Sequence, residues 1–81
     1  MVRGYELDEP ASFVVLHAIR RILLEDGGCA IILVRETRLV YLLVGASLEE
    51  VMPFCRTLRV CWPDATSWVL PEQRPEPIRI Q

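Results

Sequence analysis

Lysine and asparagine are both missing from this 81-residue chain, and histidine occurs once. All nine basic residues are arginine, scattered from Arg3 to Arg79 rather than gathered in one stretch. Coding bias from a GC-rich genome accounts for that, whereas a phosphate-reading surface would need the arginines in a patch. With 11 acidic residues the net charge is −2, which leaves no dominant basic field for nucleic acid or anionic lipid. The three cysteines, Cys29, Cys55 and Cys61, are odd in number and form no CxxC pair. That argues against a disulfide framework or a zinc site and for a reducing compartment, so the expected location is cytoplasmic. Met1 to Leu7 carries charge and no apolar signal core. Arg35, Glu36 and Arg38 break the longest apolar run, so none reaches the ~18 residues of a membrane span.

What the chain has in plenty is apolar residues, 52% of the total, against the usual ~45–50%. A body this small buries only about 60–65% of its unfolded surface. Surplus apolar surface is therefore expected, and with it association. The length suits one domain, residues 1–70, followed by a tail at 71–81 with prolines at 71, 75 and 77.

Residues 2–7 read as a weak strand. Asp8 is placed to cap a helix over about 9–26, with Glu9 and Pro10 in its first turn and Gly27-Gly28 at its end. At 100° per residue, Ala11, Val15, Ala18 and Ile22 mark the centre of its buried stripe, flanked by Val14 on one side and Leu16, Ile19 and Leu23 on the other. The apolar arc spans roughly 200°, about twice what one core contact needs, so this helix is expected to have two neighbours. Residues 29–34 and 39–44 are rich in isoleucine, leucine and valine and read as a hairpin around a charged loop. Ser47-Leu48-Glu49-Glu50 is a capping box opening a second helix with Val51, Met52, Cys55, Leu58 and Trp62 on one stripe and a kink expected at Pro53. Residues 66–70 read as a further strand, and Ile78 and Ile80 in the tail alternate like an edge strand.

The resulting order, β-α-β-β-α-β, is that of a ferredoxin-like α+β sandwich. Right-handed crossovers are expected to place both helices on one face of an antiparallel sheet.

Such folds host many functions, so chemistry must be argued from residues. Acyl-phosphate hydrolysis on this architecture uses an asparagine, absent here. Metal transfer needs a CxxC in the first loop, which reads LDEP. Tyr5 and Tyr41 fall on predicted first and third strands, as base-stacking aromatics would, but lack the basic flanks of an RNA-recognition motif. His17 lies beside Arg20 and Arg21 with no partner nucleophile in view, Cys55 belongs to an apolar stripe, and Glu49-Glu50 is explained by capping. No catalytic residue, metal site or cofactor is expected, and the chain reads as a non-enzyme.

The hairpin carries the functional expectation. Neither strand alternates polar with apolar, as a strand with one solvated face would. With two helices on one face, the other is left bare. Ala30, Ile32 and Val34, with Val40, Leu42 and Val44, form the expected contact surface, joined by Phe13, Leu24 and the tail residues Ile78 and Ile80. The expected partners are a second copy of the chain and another protein, in an adaptor, inhibitor or other regulatory role. The alternatives are a small-molecule-sensing module with a ligand held between dimeric sheets near Tyr5 and Tyr41, and, third, an RNA-binding module.

Overall fold

The first strand runs further than the sequence pattern suggests. The structure, a computed structural model, describes residues 1–71 and 74–75. Its elements are β1 (Arg3–Pro10), α1 (Phe13–Asp26), β2 (Cys29–Arg35), β3 (Arg38–Gly45), α2 (Leu48–Cys61), β4 (Thr66–Leu70) and a two-residue β5 (Arg74–Pro75). β1 stays paired with β3 as far as Pro10 opposite Arg38, and the Ala11 N–H still donates to Thr37 O at 2.8 Å. The Asp8 carboxylate is engaged by Arg38 at 2.6 Å and caps nothing. Ser12 is the cap instead: its backbone is extended and its hydroxyl accepts the Val15 N–H. The helix therefore starts four residues later than expected of one capped at Asp8. It ends at Gly27, whose φ of 77° lets its N–H return to Leu23 O at 2.8 Å.

The remaining elements match expectation closely. β2 and β3 form a hairpin around Glu36-Thr37, with Glu36 at φ 57°. Ser47 caps α2 by accepting the Glu50 N–H. The Met1 ammonium donates to the Glu50 carboxylate at 2.6 Å and holds its pKa below the usual value, with help from the Ala46 backbone. α2 continues through the exposed Pro53, and Thr57 Oγ1 donates to the Pro53 carbonyl. Arg74 and Pro75 pair with Val69 and Trp68 of β4. Ile78 and Ile80 lie outside the described residues.

The class and order are as expected: an antiparallel sheet with two helices in β-α-β-β-α-β sequence, a small α+β fold of ferredoxin-like element order. The position of the helices is not. The sheet order is β1-β3-β2-β4-β5, so the steps from β1 to β2 and from β3 to β4 go the same way across the sheet. The first begins from a strand running opposite to the second, and right-handed crossovers of that kind land on opposite faces. The core divides accordingly. Ile31, Leu33, Leu43 and Val69 pack with Val51, Met52 and Cys55 of α2. Ala30, Ile32, Leu39 and Leu70 pack with Leu23 of α1, flanked by Val15, Leu16 and Ile19. The alternation along β2 is the period of two that sends successive side chains to opposite faces.

This explains why neither hairpin strand alternates: both faces are covered. Ala30 and Ile32 have no exposure at all, and Val34, Leu42 and Val44 are half-buried in the α1 layer. They are core residues, not the bare contact surface expected of them. Val40 does not even share their face. Leu33 pairs with Tyr41 and Val34 with Leu39, so Val40 is the extra residue of a β-bulge and packs in the α2 layer.

Candidate functional site

A four-stranded sheet is roughly 19 Å wide at ~4.8 Å per strand, and one helix is ~10 Å across. One helix per face therefore covers the centre of the sheet more fully than its margins. α1 lies towards β2 and β4: it contacts Ala30, Ile32 and Leu70, and Arg20 Nε donates to Pro71 O at 2.7 Å. The less covered part of this face is the start of β1 with the Leu42–Val44 end of β3, since Leu39 at the other end of β3 is fully buried.

There the structure has a cleft of about 590 Å³. Its floor is Arg3 and Tyr5 of β1 with Leu42 and Val44 of β3, and its wall is Ile19, Ile22 and Leu23 of α1. Asp26 and the Gly27-Gly28 turn close one end. The lining is mostly apolar, with Arg3, Tyr5, Asp26 and Met1, whose ammonium pairs with Glu50, as its polar residues.

The helix continues the apolar surface beyond the cleft. Its buried line is Leu16, Ile19 and Leu23, rotated from the expected centre at Ala11, Val15, Ala18 and Ile22. Ala18 is exposed, and Ile22 keeps 59% of its surface in solvent. Val14 is 76% exposed, Phe13 72% and Leu24 56%. At 100° per residue the outermost line holds His17, Arg21 and Glu25 as well as Val14, while Ile22 lies on the flank towards the cleft and Phe13 and Leu24 on the flank towards β4. A helix with a mixed crest and two greasy flanks is shaped to lie between neighbours in a layer. Phe13 and Leu24, named as contact residues, are exposed; so are Val14 and Ile22, which the sequence pattern placed on the buried stripe and its flank.

The residues considered for chemistry do not converge. His17 is exposed and stacked on Phe13, ring centroids 6.0 Å apart. Cys55 is buried with its Sγ 3.9 Å from Ser67 Oγ, and Cys61 is exposed at the end of α2. Among the described residues no three His, Cys, Asp or Glu side chains gather as metal ligands would. Tyr5 and Tyr41 are on opposite faces of the sheet: Tyr5 lines the cleft, whereas Tyr41 lies over Gly4 and 6.1 Å from Trp62 in the α2 layer. They cannot form one base-stacking platform or enclose one ligand. Trp62 in turn carries Arg35 over its ring at 5.8 Å, and Arg35 pairs with Asp64 at 3.3 Å. No helix among the described residues is long and apolar enough to cross a membrane.

Comparison of the chain with protein-family models, with characterised proteins and with solved structures gives no match.

Proposed function

We propose that this protein is a non-enzymatic, cytoplasmic protein-binding module that takes an amphipathic helix of another protein into the cleft beside α1. The observation that carries this reading is the bare cleft-side flank of α1, where Ile22 keeps 59% of its surface in solvent beside the apolar side chains of Leu42 and Val44. Helix-in-groove docking reads its partner through apolar anchors at helical spacing, and the cleft of about 590 Å³ offers such a seat beside α1. Fully burying one side chain the size of Ile22 contributes roughly 1.5–3 kcal/mol, so micromolar affinity, about 8 kcal/mol net of an association cost of at least ~4 kcal/mol, takes roughly four to eight such anchors counted over both partners. A module of this kind acts as an adaptor or as an inhibitor by occupying a surface on its target.

The test compares proteins recovered from the source cells by the intact chain and by an Ile22→Glu variant, quantified by mass spectrometry. Position 22 is exposed, so the variant should keep its fold. The reading predicts a partner lost at least tenfold with the variant; equal recovery of every protein would overturn it.

A second reading, a small-molecule site in the same cleft, is favoured by one observation. The volume falls within the ~300–1,000 Å³ of ligand pockets, and Arg3 supplies a cation for an anionic ligand. An Arg3→Gln variant that loses all ligand-induced thermal shift while keeping protein partners would support that reading over the first.

A further inference from the structure

We propose that a second copy of this chain docks edge to edge on β1, antiparallel, with Tyr5 of each copy opposite Tyr5 of the other. The two sheets then become one, and the two clefts meet in a single apolar trough bordered by both α1 helices. This deepens the protein-binding reading by naming one partner and its seat, and it leaves the trough open for the helix of another.

β1 is the sheet's long open edge among the described residues. The opposite edge, β4, already carries β5 against Trp68 and Val69, and β5 ends in a proline, which cannot extend a ladder freely. An unpaired strand is a template for another chain unless charge, proline or a bulge blocks it. In β1 the bulge and the proline are confined to one half: the register shift lies between Glu6 and Glu9, and Asp8, Glu9 and Pro10 follow. Residues 3–7 carry only the two charges Arg3 and Glu6, of opposite sign.

Charge selects the direction. β1 has Arg3 near its start and Glu6, Asp8 and Glu9 towards its end. Two copies side by side in parallel would set like charges together; antiparallel pairing sets Arg3 of each beside the acidic end of the other.

Parity then selects the register. Antiparallel edge pairing places a two-fold axis perpendicular to the sheet, so residues of one face meet residues of the same face. Arg3 and Tyr5 line the α1 face with Leu7 in its core, while Gly4 lies against Tyr41 on the α2 face. A Glu6-centred register would set two carboxylates directly opposite, a destabilising pair. With Tyr5 at the centre, Glu6 meets Gly4 of the other copy, Arg3 meets Leu7, and Glu9 is diagonal to Arg3.

The surface is adequate for such a dimer. Tyr5 is 44% exposed, every β1 residue but Leu7 is exposed, and aromatic pairs across strands contribute beyond their area. Five residues of backbone pairing with their side chains approach the smaller class of specific interface, below ~1,200 Å² in total.

The experiment uses the full chain with Cys61→Ser to remove the exposed native thiol. Directly opposed antiparallel residues stand ~4.5–5.5 Å apart at Cα, within disulfide range. The proposal predicts a two-chain mass by light scattering at micromolar concentration, a disulfide-linked dimer for Tyr5→Cys on mild oxidation, at least tenfold less for Glu6→Cys, and a one-chain mass for Tyr5→Arg with unchanged circular dichroism. A one-chain mass for the Cys61→Ser chain overturns the dimer while leaving partner capture by the cleft to its own test. A two-chain mass with no Tyr5→Cys cross-link, or with Glu6→Cys cross-linking as well as Tyr5→Cys, overturns this seat and register. If Tyr5→Arg fails to fold, the cross-linking comparison decides alone.

Discussion

Gly4 shows how a single residue sets the shape of a face. A Cβ there would stand 2.5 Å from the Tyr41 hydroxyl and 2.8 Å from its ring, closer than carbon and oxygen tolerate. Glycine lets the Tyr41 ring lie flat over β1 and reach Trp62. Gly4→Ala is expected to displace the ring and cost about 1–3 kcal/mol, read as a lower urea midpoint at unchanged slope. Glu36 shows the reverse case. A φ of 57° in the hairpin turn strains a residue with a side chain, so Glu36→Gly should raise stability by about 0.5–1 kcal/mol in thermal unfolding. Neither effect was legible from sequence. Gly4 lies in a strand only weakly marked by sequence, and the close ring above it comes from a strand almost forty residues away.

At the scale of elements, α1 is the instructive one. Asp8-Glu9-Pro10 has the composition of a helix start, yet the strand ladder to β3 continues through it and the Arg38 contact occupies Asp8. Ser12 inherits the cap. Ser12→Ala should cost about 1 kcal/mol, whereas Asp8→Ala, at an exposed ion pair, should cost only a few tenths; equal losses would contradict this assignment. The hairpin, the second helix and β4 were legible almost to the residue, because long apolar runs, a capping serine and a proline turn all agree locally. The bulge at Val40 was not, since it depends on how three strands register against one another. One unseen residue moved Val40 to the opposite face.

The layering of the whole molecule was the largest change. Element order could be read from the sequence, but the side on which each helix lands follows from which edge β4 joins, and nothing local encodes that. With β4 beside β2, the hairpin is sandwiched and its apolar faces become ordinary core. Ile31→Ala, at zero exposure in the α2 layer, should therefore cost about 2–5 kcal/mol. The expectation that did carry over was physical rather than positional: too many apolar residues on too small a body leave some uncovered. That excess lies on the flanks of α1 and along the cleft, as the 200° arc of the helix implied in asking for two neighbours. The claim that the missing neighbour is a helix of another protein is tested most directly by a photo-cross-linking residue at position 22, activated in the source cells. The account predicts adducts between position 22 and an amphipathic helical segment of another protein, with none from the same group placed at Thr57, exposed on α2. Adducts equally frequent at the two positions, or confined to water and the chain itself, would contradict it.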